Sequence, residues 1–335
     1  MRALVVTNMY PTAARPALGR FVHDQVEALR RIDGVEVELF AFPPGLRSYP
    51  RAALELRRRH GGERFDVIHA HFGLTAWPAL ALRGAPHVVT FHGTDLAHPR
   101  SGRLSRAVVG RVELAATVSA SLAELLPGAG VARRVAVLPC GVDLGRFRPL
   151  PRAQARRQLG LDPDGRYLLF PADPARPEKR FDRAQEVAGD ATLLPLTGVA
   201  PEQVPLWVNA ADAVVVPSER EGFGLAVLEA LACDVPVVAT PVGIHALALN
   251  GVAGAHCGPF DAAAWRAALA PHLAAEDPRV AGRARAELFS ADRMARRVVT
   301  AWRTVAAEAA EATGSRGYTR RLGAARVVTR RRFDR

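Results

Sequence analysis

Two carboxylates, Glu221 and Glu229, stand eight positions apart in the run Glu221-Gly-Phe-Gly-Leu-Ala-Val-Leu-Glu229. An apolar run, Ala213-Val-Val-Val-Pro217, precedes this stretch, and a second, Val235-Pro-Val-Val-Ala239, follows it. Short continuous apolar runs of this kind read as buried parallel strands, so the order is strand, glycine-rich loop, helix, strand. In such sheets ligands sit at the carboxyl ends of the strands. The Gly222-Phe223-Gly224-Leu225 loop is therefore expected to open a helix whose free amides face an anion. One acid lies just before that anion site and the other a turn past it. The pattern suits a ligand with sugar hydroxyls at both ends and a diphosphate between them.

Further candidates lie on neighbouring loops. Pro177-Glu-Lys-Arg180 follows the apolar run Tyr167–Phe170 and would face the same edge of the sheet. Of 45 basic residues only Lys179 is lysine, which makes it the first candidate to neutralise a leaving diphosphate, with Arg176 and Arg180 as alternatives. In the first half, Gly19 precedes an amphipathic stretch with Phe21, Val22, Val26 and Leu29 on one side, and either marks a helix start at the site or is a simple turn residue. His92, in Phe91-His-Gly-Thr-Asp95 after the run His87–Thr90, can bond a sugar hydroxyl, assist a proton, or bond its own loop. His69 and His71 share one face of a strand without a nearby acid or cysteine, and no metal is expected there. Asp162-Pro-Asp164 matches a short metal-binding pattern, but its proline and the following Gly165 read as a turn.

These residues need a scaffold, and the apolar runs supply one. Ala3–Thr7, Val35–Ala41, Val67–His71, His87–Thr90, Ala116–Val118 and Val135–Pro139 alternate with stretches of helical spacing, as in a parallel α/β sheet. The alternation breaks from Gly141 to Gly165, which reads as a linker with a short helix, and then resumes. From Asp261 to about Ala312 the pattern is helical, with Ser290 as N-cap of a last helix carrying Met294, Val298, Trp302 and Val305 on one face. The segment from Lys179 to Glu221 looks one strand–helix unit short. The expected domains are 1–148, 149–290, a closing helix over 291–312 and a basic, disordered tail over 313–335. A cleft between two such halves is a favoured ligand site.

Composition bounds the classes. The 335 residues are 49% hydrophobic and 23% charged, as in a folded soluble chain long enough for two cores. No apolar run approaches the roughly 18 residues of a membrane span. The N-terminus enters a strand at once, so a cytoplasmic location is expected. Three scattered cysteines (Cys140, Cys233 and Cys257) read as reduced thiols. The net charge of +12 is concentrated in Arg316–Arg335, where eight arginines and one aspartate carry +7. That tail is expected either to be solvated or to touch an anionic membrane surface. No nucleic-acid partner is expected.

Taken together, the motifs resemble those of the retaining, metal-independent glycosyltransferases of family 4, group 1. The E-x7-E pair is Glu221 and Glu229, and the Pro-Glu-Lys segment is Pro177-Glu-Lys179. The interdomain bridge is Gly141-Val-Asp143 with Phe147 and Pro149. The His-Gly-x-Asp loop is His92-Gly93 with Asp95. Ala210-Ala-Asp212 and Pro236–Thr240 with Gly243 flank the E-x7-E region. The likeness covers roughly residues 1 to 310. It implies a GT-B fold: two Rossmann-like parallel-sheet domains facing a cleft, with the C-terminal helix packing back on the first. It also implies a nucleotide-diphospho-sugar as co-substrate, no other cofactor or metal, and a glycan or lipid-linked acceptor. By the same resemblance Glu221 holds the donor sugar, Glu229 the ribose, and Gly222–Leu225 with Lys179 the diphosphate. His92 and Gly19 complete the site from the other domain. The chain departs from the family pattern at Asp173 and Pro174, where Gly-Arg is usual, and at Cys140, where asparagine is usual. The second phosphate cation would then be Arg176 or Arg180, or be absent. Two other readings stay open: a nucleotide-sugar epimerase or hydrolase on the same fold, and a scaffold acting through its arginine tail.

Overall fold

The computed structural model describes residues 1–127 and 134–329, with side chains as far as 312. Six strands form the first sheet: β1 (Arg2–Thr7), β2 (Glu36–Ala41), β3 (Val67–His71), β4 (His87–Phe91), β5 (Leu114–Thr117) and β6 (Val135–Val137). Their order is β2-β1-β3-β4-β5-β6, and every pair is parallel. A second parallel sheet contains β7 (Tyr167–Phe170), β8 (Thr192–Pro195), β9 (Ala213–Val216), β10 (Val237–Ala239) and β11 (His256–Cys257), in the order β11-β10-β9-β7-β8. Both sheets are sandwiched by helices, so the central strands are buried on both faces and read as unbroken apolar runs. The result is the α/β architecture of two Rossmann-like domains expected from the sequence.

Local boundaries differ from the sequence reading for identifiable reasons. β5 begins at Leu114 rather than Ala116, because Ala115 already pairs with Val89 and Val135. β10 begins after Pro236, which has no amide to give to the ladder. β8 was not anticipated: its four residues end on a proline, too short a run to stand out from a loop. It supplies the edge strand beside β7, so the short Lys179–Glu221 segment still contains two helices and two strands, β8 and β9. The helical region after Asp261 is three helices, Ala262–Ala274, Arg283–Glu287 and Ala291–Thr329, with the 275–282 segment intervening around Asp277 and Pro278.

The last helix starts after Ser290, whose hydroxyl accepts from the Arg293 amide at 3.3 Å. Met294, Val298, Trp302 and Val305 bury against Val22, Val26 and Leu29 of the helix Arg20–Arg30, so the end of the chain packs back on the first domain. The helix does not stop at 312. Its backbone runs to Thr329 without a proline to end it, which corrects the expected disordered tail for 313–329; residues 330–335 lie outside the described residues.

The chain crosses between the domains twice, side by side. Val142 donates to Phe289 O at 2.9 Å and accepts from the Ala291 amide at 2.8 Å. Gly141 permits this approach, since a Cβ there would stand 2.6 Å from Ala291 Cα. Arg283 donates to the carbonyls of Leu144, Phe147 and Ala232, which clamps the bridge to the second domain. Asp212 has a structural task. Almost fully buried, it accepts from the Tyr167 amide at 2.7 Å and from Arg156 at 3.0 and 3.1 Å, tying the helix Arg152–Leu159 to the second sheet. Asp162 accepts from the Asp164 amide at 3.0 Å and from the Gly165 amide through its carbonyl, so this pair of acids is the turn that the proline indicated.

Candidate active site

The carboxyl ends of both sheets face one interdomain cavity of about 430 Å³. It is lined by His92 from the first domain and by Arg176, Lys179, Glu221, Gly222, Phe223, Gly224, Leu225 and Glu229 from the second. Nine of the eleven candidates named from the sequence therefore share one cavity, and Arg180 lies outside it. Gly19 does not line it. Its φ of 63° and the 2.1 Å that would separate an added Cβ from Met9 O show a packing role: it lets the backbone at Met9, which does line the cavity, lie against the start of the helix Arg20–Arg30.

The glycine-opened helix start lies where the spacing predicts. The helix Leu225–Ala232 begins directly after Gly224 (φ 101°), and no described group accepts from the amides of Leu225 and Ala226. Gly224 is doubly constrained, because a Cβ would also stand 2.4 Å from His245 Nε2. The His245 ring is fully buried behind the loop, with Nδ1 donating to Thr240 O at 2.9 Å and Nε2 without a partner among the described residues. Burial holds its pKa below the usual histidine range, so it supports the loop as a neutral ring.

The two acids have different surroundings. Glu221 Oε1 accepts from Lys179 Nζ at 2.6 Å and from Ser218 Oγ at 2.8 Å. Lysine and glutamate thus meet 42 residues apart in sequence, both largely buried. Glu229 has no donor to its carboxylate among the described residues, and burial pushes its pKa up to about 7, with nearby Arg146 pulling the other way. Of the two arginine alternatives, Arg176 lines the cavity and chelates Glu178 Oε1 at 2.7 and 3.0 Å. Arg180 is turned away, bonded to Asp182 and Glu219.

On the opposite wall His92 belongs to a chain of three histidines. Trp302 Nε1 donates to His69 Nδ1 at 3.2 Å, so the His69 proton lies on Nε2, which donates to Thr90 Oγ1 at 2.7 Å. The Gln25 carboxamide nitrogen faces His71 Nε2 at 3.4 Å, and His71 Nδ1 meets His92 Nε2 at 3.0 Å. With Gln25 as donor, His71 donates to His92, whose own proton is then on Nδ1. Burial lowers the pKa of all three rings, to about 3 for His71. His92 is accordingly a neutral hydrogen-bond donor or acceptor at the cleft, and His69 and His71 are its support. Asp95 shapes the same loop by accepting from the amides of Gly73, His92 and Gly93 at 2.9–3.1 Å.

Sequence reasoning missed several groups at the rim. Arg20 Nη1 meets Glu202 Oε1 at 2.7 Å across the domains, while Asp24 accepts from Arg20 at 2.9 Å and Arg146 at 2.8 Å. Nothing in the local pattern marks an ion pair between residues so distant in sequence. Phe72, at φ 74°, sets its ring tilted against His92 and edge-on to Phe21, and its unusual backbone is visible only in three dimensions.

Two Rossmann-like parallel-sheet domains facing a cleft, with a glycine-opened helix start, a buried acid–lysine pair and a second free acid on one wall, define a GT-B protein. Residues 4–146 match Glycosyltransferase Family 4, and residues 165–274 match Glycosyl transferases group 1. A D-inositol 3-phosphate glycosyltransferase of Thermobispora bispora is 30% identical over 304 residues, covering 72% of this chain and 70% of the relative. Another from Pseudarthrobacter chlorophenolicus is 33% identical over 241 residues, 56% of this chain and 57% of the relative, so that match spans little more than half of its length. Among solved structures, sucrose-phosphate synthase from Thermosynechococcus elongatus aligns with TM-score 0.71 and 19% identity over 92% of this chain and 99% of that one. HepE of Anabaena, in complex with UDP and glucose, aligns with TM-score 0.67 and 16% identity over 91% and 100%. These two likenesses bear on the fold. The chain belongs to the family 4, group 1 glycosyltransferases and is a glycosyltransferase enzyme.

Proposed function

We propose that this enzyme is a retaining, metal-independent glycosyltransferase that moves a sugar from a nucleotide-diphospho-sugar to an acceptor hydroxyl. The observation that carries this reading is the single cavity in which Lys179, the Gly222–Leu225 helix start, Glu221 and Glu229 converge. The unpaired amides of Leu225 and Ala226, with Lys179 and Arg176, stabilise the charge that develops on the leaving diphosphate. These groups do the work that a divalent cation would otherwise do. Glu221, held by Lys179 and Ser218, positions the donor sugar hydroxyls, and Glu229, free of protein donors, accepts from the ribose.

His92 faces the sugar from the opposite wall. The acceptor oxygen bonds to the anomeric carbon on the face from which the nucleotide leaves, and a diphosphate oxygen takes the acceptor proton as the old C–O bond breaks. UDP is the first donor base to test, since the solved HepE complex holds UDP. A role in cell-envelope or polysaccharide glycan synthesis on the cytoplasmic side follows from the same reading. A lipid-linked acceptor, with the arginines of Arg316–Arg335 against an anionic membrane surface, would fit it. No described helix is long and apolar enough to cross a membrane.

Replacing Glu221 with Ala tests the assignment. Sugar transfer from UDP-, GDP- or ADP-sugars should fall by about 10³-fold with the fold retained by circular dichroism; turnover near wild type would refute it. Release of nucleoside diphosphate without a glycosylated product would favour the hydrolase or epimerase alternative. Deleting residues 313–335 should leave transfer in solution intact and lower binding to anionic vesicles.

A further inference from the structure

A second cavity, of about 470 Å³, adjoins the first and shares Thr94, Arg176, Glu221 and Gly222 with it. The donor sugar, held at Glu221, would lie at this shared wall, so the second cavity receives the other partner of the reaction. Among the described residues its first-domain wall carries no charge: Thr94, Ala97, Ser121, Leu122 and Leu125. Leu125 is 50% exposed there, an apolar side chain left open beside the reacting centre. Pro241 and Val242 extend the apolar surface from the other domain.

The charges on the second-domain wall do not favour an anion. Glu178, Glu219 and Glu221 line it with Arg176 and Arg220, and Glu221 is engaged from behind by Lys179 at 2.6 Å. Arg176 is already engaged by Glu178, and Glu219 is engaged by Arg180 and Arg183, which lie outside the cavity. Only the exposed Arg220 lacks a partner among the described residues. A phosphomonoester carries about two negative charges and needs several convergent donors to repay its desolvation. Among the described residues this cavity offers a single uncommitted cation, Arg220, because Arg176, Arg180, Arg183 and Lys179 are already engaged with Glu178, Glu219 and Glu221.

We propose that the acceptor is an uncharged alcohol with an apolar body, such as an aryl or alkyl glycoside, and not a sugar or cyclitol phosphate. The inference separates this chain from relatives whose names specify an inositol phosphate. It rests on the transferase reading above. In the transfer, the acceptor O–H loses its proton to the departing nucleoside diphosphate, the donor C1–O bond to phosphate breaks, and a new C1–O bond to the acceptor forms. No further reactant is needed.

The test incubates the full chain with UDP-glucose, UDP-N-acetylglucosamine or GDP-mannose. Three acceptors are supplied separately: 4-nitrophenyl β-glucoside, octyl β-glucoside and 1D-myo-inositol 3-phosphate. Mass spectrometry reads the product, and nucleotide release reads donor turnover. The expected result is a glycosylated aryl or alkyl glycoside, with kcat/KM at least about tenfold above that for the phosphate. Product on the alkyl but not the aryl acceptor would identify a lipid-like body, and product on both a soluble aglycone. Leu125→Glu should raise the KM for the accepted glycoside by about tenfold, and Leu125→Met should restore it. Transfer to the inositol phosphate at equal or higher kcat/KM, or donor turnover with no product on either glycoside, overturns the proposal. So does an unchanged KM in Leu125→Glu. Absence of nucleotide release from every donor would instead defeat the transferase reading itself.

Discussion

Gly93 and Gly222 face each other across the interdomain cleft with no space for a side chain between them. A Cβ on Gly93 would stand 2.9 Å from Gly222 Cα, and one on Gly222 would stand 1.9 Å from His92 O. The two loops that carry the first-domain histidine and the second-domain acid are therefore in backbone contact across the cleft. Gly93 also needs glycine for its φ of 107°.

Substituting Gly222 with Ala should force the two loops apart. Because transfer needs both walls of the site at once, kcat/KM should fall by about 10²-fold, with the thermal midpoint little changed. Steady-state kinetics read the loss, and small-angle scattering with nucleotide bound should show a more open particle. Wild-type kinetics in Gly222→Ala would mean that this contact is not part of the working enzyme.

Glu229 gives a pH dependence whose sign can be worked out. Its pKa is pushed up to about 7 in the folded protein, whereas a free glutamate lies near ~4.3. Between those values the folded chain keeps a proton that the unfolded chain has released. Its contribution to stability is therefore fully present below the unfolded value and lost as pH rises through about 7. Glu229→Gln should accordingly raise the melting midpoint more at pH 8 than at pH 4. Donor binding runs the opposite way, because the carboxylate is the better acceptor for ribose hydroxyls. Affinity for UDP should weaken about tenfold from pH 8 to pH 6, a difference that calorimetry should not find in Glu229→Gln.

Asp212 should matter to stability and not to chemistry. Its removal in Asp212→Ala leaves the buried Arg156 guanidinium without its carboxylate, and also costs Arg152 a partner. Burial and neighbouring Arg152 already lower the Arg156 pKa to about 10. An uncompensated buried charge of this kind costs about 3–5 kcal/mol. Urea unfolding measures it, and a loss below about 1 kcal/mol would show that water or another acid takes over.

Much of the site was legible in the chain because it is local. The register of Glu221 and Glu229 about a glycine-opened helix, flanked by two runs of buried-strand composition, places a helix start with free amides between two acids without reference to any distant residue. The alternation of apolar runs and helical spacing likewise determined two parallel α/β halves. It also set the packing face of the last helix, where Met294, Val298, Trp302 and Val305 recur with the helical period. Such features follow from backbone geometry and the burial of apolar side chains, both of which act over a few residues.

Tertiary structure decided what depends on residues distant in sequence. Lys179 could be chosen as a cation, but only the fold showed it bonded to Glu221. Arg176 and Arg180 were equal alternatives until the turn at Arg180 (φ 57°) aimed one into the cleft and the other at Glu219. His69 and His71 carried no signal beyond sharing a face, because their partners come from four separate elements and one of them, Trp302, lies 233 positions away. Gly19 looked like a site residue and serves packing, since a glycine at a helix start looks the same whether its missing Cβ makes room for ligand or for backbone. Local sequence sets which groups are available and which face they share; long-range packing sets which of them meet.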